Sequence, residues 1–389
     1  MKIAIVGAGL MGRLLALSLH RNAQAEVTLF DKDTKLAHNS AAYAAAGLLT
    51  PLGESLHCEA SIVDMGFKSL SLWPDILASL DEYTFFQQTG ALMVSHEQDK
   101  GDYLRFVRHL KSHYPQSNFQ LLNRKQLSEI EPEIGRSFNQ GLFLPQEGQI
   151  GNRRLLVALR KQLESEGVNW CCNCLVTGIN NKDDSATLTY RHTGQAETSE
   201  LFDLIIDCRG IGANKKNSHR ACAPLTDLRS VRGELFQLYA PSVHLSRPVR
   251  LMHPRYQLYI APKGKGFYVV GATEIESDDT TNMTVRSAME LLSAAYSVHP
   301  GFAEANIRQH ISQSRPAFSD NQPKIIVSNS LVQVNGLFRH GFLIAPVVLA
   351  QVLSLVNNKI NGNTAPLPYN HLIPVTEETT LTNKEETTS

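Results

Sequence analysis

An excess of charge of either sign is what this chain lacks. Lys and Arg total 37 and Asp and Glu total 37, so the formal net charge is zero. Without a basic surplus there is no electrostatic footprint for nucleic acid or an anionic membrane, and a small molecule is the expected partner. Long apolar runs are scarce too, and none reads as bilayer-spanning. Only Met1 and Lys2 precede the first apolar run, which breaks at glycines and not at a cleavage site. No secretory leader is therefore expected, and a cytoplasmic location is. Cysteine is sparse: of Cys58, Cys171, Cys172, Cys174, Cys208 and Cys222, only Cys171 and Cys174 have C-x-x-C spacing. No second pair or histidine cluster completes a zinc site, so no metal is expected and the cysteines read as small apolar residues in a reducing compartment. Apolar content is ample: 42% of 389 residues supports a sizeable core, in two or three domains or one composite unit.

The most informative stretch comes first. Lys2-Ile3-Ala4-Ile5-Val6 reads as a buried strand and leads into Gly7-Ala8-Gly9-Leu10-Met11-Gly12, a G-x-G-x-x-G turn opening a helix. Such a loop suits a dinucleotide: Gly7 permits the turn, Gly9 lets backbone approach a pyrophosphate, and Gly12 lets helix and strand pack closely. A second strand, Glu26 to Phe30, ends at Asp31, where an acid would accept from a ribose, with Lys32 beside it. The loop itself suits a nicotinamide or a flavin dinucleotide equally. Ser40 to Gly47 is then unusually dense in alanine, including Ala45 and Ala46, and is followed by Leu48. Side chains this small let backbone lie against a flat ring, with Ser40 near a helix start and available to a phosphate.

Further along, Ala60 to Leu80 has helical spacing with a break expected near Pro74, and Tyr103 to His113 is a second helix. A helix from Asn152 ends at Gly167, and a strand is expected over Trp170 to Val176. Leu204 to Asp207 returns the chain to a parallel sheet, entering a turn at Cys208 to Gly212. Between Arg229 and Asp279 the pattern turns antiparallel, with strands at Glu234 to Tyr239, Gln257 to Ala261 and Phe267 to Val270. A helix over Arg286 to Ser297 carries Met289, Leu292 and Tyr296 on one stripe, and Pro346 suits the first turn of a helix from Val347 toward Leu355. The expected fold is α/β, an α+β composite: a discontinuous Rossmann-like nucleotide domain over 1–85, 146–215 and 311–365, and a mainly antiparallel substrate domain over 86–145 and 216–310. A polar tail over 366–389 is expected to be disordered.

Taken together, these residues resemble the D-amino-acid oxidase type of FAD-dependent oxidoreductase from Lys2 to about Leu355. The resemblance rests on Gly7 to Gly12, Ser40 to Gly47, Val231-Arg232-Gly233-Glu234, Tyr259-Ile260-Ala261-Pro262 and Gly271-Ala272-Thr273-Glu274. It rests equally on Arg315-Pro316 with Asp320 and Pro323, and on Gly336-Leu337-Phe338-Arg339-His340-Gly341 with Ala345-Pro346. It implies FAD, with Asp31 at the adenosine ribose and Gly7 to Gly12 at the pyrophosphate. Leu175 or Val176 would lie beside the adenine, with Cys208 and Gly210 also in contact. Ala46, Gly47 and Leu48 would meet the flavin ring, and Gly341, Phe342 and Leu343 its pyrimidine side, with Gly336, Leu337, Arg339 and His340 in the same segment. The helix near Pro346 would aim its positive end there. No cysteine stands near Ser314, where members with covalent flavin carry one, so noncovalent FAD is implied.

For substrate, the resemblance implies Arg315, Arg339 and Tyr259 around an amino-acid carboxylate. Arg315 is the first choice for a bidentate contact, and Tyr259 is preferred over Tyr256, which alternation puts on the other strand face. Leu48 and Leu337 stand where some members carry methionine and histidine, which leaves pocket shape and substrate preference open. The implied reaction is oxidation of a small amino acid, glycine first, to an oxo acid, ammonia and hydrogen peroxide. Oxygen is the implied acceptor, a supply of imine for thiamine thiazole synthesis a further implication, and sarcosine or a D-amino acid the alternative substrate. No general base is required, because the cofactor carries the chemistry. The chain could act alone or as a homo-oligomer.

Overall fold

A computed structural model describes residues 1–22, 24–216, 222–253 and 258–377. The expected strand start at Gln257, the comparison with Tyr256, and the tail over 378–389 lie outside the described residues. Two large sheets organise the rest. The first has seven strands in the order Val375–Glu377, Lys324–Ser328, Leu331–Asn335, Leu204–Asp207, Lys2–Val6, Glu26–Phe30 and Asn169–Cys171. Its last five run parallel, with Ile5 opposite both Ile206 and Leu29. Parallel strands covered on both faces read as unbroken apolar runs, and Ile3, Ala4 and Ile5 are fully buried. Helices Leu10–His20, Ala60–Ala78, Asn152–Ser165 and Gly341–Asn361 share one apolar core with this sheet. Its strands come from three separated stretches, so the nucleotide-type unit is discontinuous.

The second sheet has nine strands, mostly antiparallel. Arg229–Tyr239 is its spine, pairing with Phe267–Gly271 on one side and with Asn306–Ala317 on the other. The boundary expected at 311 therefore falls inside one continuous strand. The chain is also ordered beyond 365: Val375–Glu377 pairs with Ile325 to Val327 at the edge of the first sheet.

Several elements differ from the sequence reading. The Ala60–Ala78 helix runs through Pro74 without ending. The last long helix starts at Gly341, not beside Pro346, which lies inside it. Proline there leaves the Phe342 carbonyl without its helical donor, and the buried Trp73 indole Nε1 donates to that oxygen at 3.0 Å instead. Gly66 makes the same crossing possible, because a Cβ there would stand 2.9 Å from the Leu343 side chain. This helix is, against expectation, long and apolar enough by length and composition to cross a bilayer. It instead packs inside the protein, with Ile344, Ala345, Val347, Val348 and Val352 fully buried.

The strand expected over Trp170 to Val176 is two. Asn169–Cys171 closes the parallel sheet, Asn173 turns through the left-handed region at φ 53°, and Cys174–Asn181 starts a separate antiparallel sheet. Of the expected stripe on the Val285–Val298 helix, Leu292 packs partly buried against the core, while Met289 and Tyr296 face solvent, 64% and 55% exposed. The packed face consists of Leu291, Ala294, Ala295 and Val298. Small residues let the helix sit close to the sheet, so apolar size misidentified the inner face.

Candidate active site

The ends of the parallel strands and one face of the second sheet enclose a cavity of about 810 Å³, within the range of small-molecule sites. At one end the glycine loop leaves Val6. Gly7 has φ 101° and packs on Cys208, and a Cβ on Gly12 would overlap the Gly7 carbonyl, so Gly12 serves helix packing and does not line the cavity. An added Cβ on Gly9 would meet nothing within 4 Å, which leaves its backbone face open to a ligand. Asp31 accepts from the Ala8 N–H and, at 2.7 Å, from the Asp33 N–H. Burial raises the Asp31 carboxyl against these donors. Behind the loop, the buried Arg13 donates to the carbonyls of Ala8 at 2.7 Å and Leu156 at 2.6 Å. Its guanidinium fixes the loop by backbone contacts, a role with no motif to announce it.

Ala8, Gly9, Leu10, Met11, Lys32, Ser40, Ala45, Ala46, Gly47, Leu48, Cys208 and Gly210 line the cavity with Gly7 and Asp31, as do Leu337, Arg339, His340, Gly341, Phe342 and Leu343 at the other end. The alanine-rich stretch is a series of turns, not a helix start. Ser40 serves those turns, its Oγ donating to Ala37 O at 2.8 Å and accepting from Tyr43 N–H at 3.2 Å. Leu175 and Val176 are outside the cavity, carried away by the turn at Asn173. Gly336 is outside as well; at φ 75° it makes room for the Phe318 ring.

The inner wall holds a charged network. Glu54 ends the short Pro51–Glu54 helix and is bound by two arginines from distant segments. Arg250 reaches Glu54, Thr50 Oγ1 at 2.9 Å and Gly53 O at 3.1 Å. Arg339 donates from Nε to Glu54 at 2.9 Å and from Nη1 to Glu274 at 2.8 Å. Burial alone would raise the Glu54 carboxyl, but Arg250 and Arg339 hold it well below its ordinary value. Glu274 is one residue past Thr273, whose carbonyl accepts from Arg315 Nη1 at 3.2 Å. Thr273 is itself fixed, its Oγ1 accepting from Glu234 N–H at 2.9 Å, while Glu234 pairs with the buried Arg232 at 2.5 Å. Within the Val231 to Glu234 motif, Arg232 and Glu234 thus build the wall, while Gly233 lines the cavity.

Arg315 faces the cavity beside Tyr259, and no carboxylate lies within ion-pair distance of it among the described residues. It lies flat over Gly233, where a Cβ would stand 2.2 Å from the guanidinium. Burial raises the Tyr259 phenol, which stays protonated as a donor. Burial lowers the His340 imidazole to about 4, against the pull of Glu54, so it is neutral near pH 7. The sequence brought Arg315, Tyr259 and Arg339 to notice. It gave no local signal for Arg250, nor for Glu54 at the end of Thr50-Pro51-Leu52-Gly53.

A parallel sheet with an open glycine loop, an acid after the second strand and a long cavity reaching a helix amino terminus defines a dinucleotide-dependent enzyme. The family model described as DAO, FAD dependent oxidoreductase, matches residues 2–354. The chain belongs to this family of FAD-dependent oxidoreductases. It is 33% identical over 352 residues to the thiamine biosynthesis oxidoreductase ThiO assigned in Rhizobium etli, covering 90% of this chain and 95% of that one. It is 25% identical to the bifunctional protein ThiO/ThiG of Nostoc sp., spanning 52% of that longer chain. In fold it is similar to glycine oxidase from Geobacillus kaustophilus, with a TM-score of 0.78 and 21% identity over 95% of this chain and 97% of that one.

FAD fits the residues present. The open face of Gly9, the acid Asp31 and the small-residue rim of Ala44 to Gly47 line one continuous space with the Gly341 helix start. When bound, FAD supplies the hydride acceptor. The chain would supply position and field: backbone N–H groups for phosphates, small residues for a flat ring, and the helix beginning at Gly341 for developing negative charge.

Proposed function

We propose that the protein oxidises a small amino acid, glycine in the first instance, to an imine that water hydrolyses to the oxo acid and ammonia. The observation that carries this reading is Arg315, a cavity-facing guanidinium with a carbonyl but no carboxylate partner among the described residues, next to the protonated Tyr259. A planar fork matches a carboxylate, and Tyr259 adds a hydroxyl donor. Held there, the substrate presents its α-carbon to the flavin without needing a general base, and neutral His340 offers no competing charge. Oxygen as acceptor and delivery of the imine to thiazole synthesis extend the same reading, which the likeness to ThiO of Rhizobium etli supports. A substrate panel of glycine, sarcosine and D-alanine with peroxide and ammonia detection tests it. Glycine is expected to lead; a clear preference for sarcosine or D-alanine would move the assignment to those amines, and no turnover of any would reject it.

A further inference from the structure

The segment 39–48 is the rim that would admit the cofactor, and it has little of its own to hold it in place. Every residue in it except Tyr43 lines the cavity, and none from His38 to Ala45 is buried. Side chains small enough to admit a flat ring bury too little apolar surface to anchor a segment. Its internal turns add only short-range bonds, with the N–H groups of Ser40, Tyr43 and Ala45 donating at 3.0, 3.1 and 3.4 Å. Tethers to other elements therefore fix it. One end is held at Asn39, whose N–H donates to Asp33 at 3.0 Å and whose carbonyl accepts from Gln313 Nε2 at 2.9 Å. The other is held at Gly47, whose carbonyl accepts from Ile150 N–H at 2.7 Å.

Between these ends stands Tyr43. Its ring is turned out of the cavity and lies against the Arg153 guanidinium, 4.2 Å from carbon to ring centroid. Its carbonyl accepts from Asn152 Nδ2 at 3.1 Å and from Arg153 Nε at 3.3 Å. Arg153 Nη1 reaches on to Gln309 Oε1 at 2.8 Å and Gln237 Oε1 at 3.4 Å, a cross-strand pair on the second sheet. Arg153 stands in the first turn of the Asn152–Ser165 helix, where a cation opposes the helix dipole. Its position is thus unfavourable for the helix itself, and its contacts join helix, rim and second sheet.

We propose that Arg153 is a positioning residue for FAD: with Tyr43 it latches the middle of the segment 39–48 against the cavity, and this latch sets how fast the cofactor leaves. Arg153 does not line the cavity, so its effect reaches FAD through the segment. The inference rests on FAD binding in this cavity and is independent of which substrate is oxidised.

The test dilutes the FAD-loaded protein and follows release by FAD fluorescence, while hydrogen exchange reads the backbone amides of the segment 39–48. Arg153→Met should speed release at least about tenfold, the size of a cation–π contact with its hydrogen bond, and should raise exchange at the Tyr43 and Ala45 N–H groups. Tyr43→Ala leaves the helix untouched and should speed release to a similar extent. Tyr43→Phe keeps the ring and the carbonyl and should release FAD at the native rate. Because Arg153→Met and Tyr43→Ala break one contact, the double variant should exceed either alone by less than about twofold. A native release rate in Arg153→Met or Tyr43→Ala would overturn the proposal. So would effects that multiply in the double variant, or faster release with unchanged amide exchange in the segment.

Discussion

Arg339 donates from Nε to Glu54 Oε2 at 2.9 Å across 285 positions of sequence. This bond ties the segment leading into the last helix to the short Pro51–Glu54 helix after the small-residue run, on the wall of the cavity. Removing one member of a buried ion cluster leaves its partners' charge uncompensated, which typically costs about 3–5 kcal/mol. Glu54→Gln strands part of two guanidinium charges, those of Arg339 and Arg250. It should destabilise the FAD-loaded protein by an amount of that order in denaturant melts. A midpoint unchanged from the native protein would show that the cluster does not hold the wall.

Arg315→Lys keeps a charge and loses the fork. It should raise KM for the amino acid by roughly tenfold or more, the cost of about 1.5–3 kcal/mol for a charge-assisted bond, while flavin content is retained. Gly233→Ala tests the same arginine without changing it. The added methyl would stand 2.2 Å from Arg315 Nη2, so the guanidinium must move and KM must rise. Native KM in both variants would remove Arg315 from substrate binding.

Asp31→Ala should weaken FAD by roughly 1.5–3 kcal/mol, the loss of a charge-assisted hydrogen bond, measured by titrating apoprotein with FAD. Because Asp31 also accepts from Ala8 and Asp33 N–H groups, the substitution loosens the loop itself. Unchanged affinity would exclude both roles.

Glu147 is buried, with Oε1 accepting from Gly53 N–H at 2.7 Å and Oε2 without a partner among the described residues. Burial pushes its carboxyl up to about 8 from the ordinary 4.5. The folded protein therefore holds a proton that the unfolded chain releases near 4.5. The resulting stabilisation is complete below that pH and is lost as pH rises toward 8, at most about 1.4 kcal/mol per pH unit. Glu147→Gln should flatten this part of the melting-temperature profile between pH 5 and 8. An equal slope in native protein and variant would show that Glu147 does not carry it.

What could be read from the chain alone follows from how local each signal is. Gly7 to Gly12, Asp31 and the apolar run at Leu204 to Asp207 announce themselves because turn chemistry and strand burial act over a few residues. The partnership of Glu54 with Arg250 and Arg339 does not, since nothing near any of the three encodes the others. Pro346 misplaced a helix start because its missing N–H is offset by Trp73, a residue far away in sequence. Leu175 or Val176 was placed beside the adenine by the resemblance alone; past the left-handed turn at Asn173 both stand on a separate antiparallel sheet, and neither lines the cavity. Met289 and Tyr296 look like a core stripe by size, yet the helix packs through Leu291, Ala294, Ala295 and Val298.

The most direct test of the central claim is anaerobic mixing of the FAD-loaded protein with glycine while the flavin absorbance is followed. Bleaching is expected to saturate with glycine, with glyoxylate and ammonia formed in equal amounts, and that saturation is expected to be lost in the Arg315→Lys variant. Flavin that stays oxidised with glycine, sarcosine and D-alanine alike would contradict it.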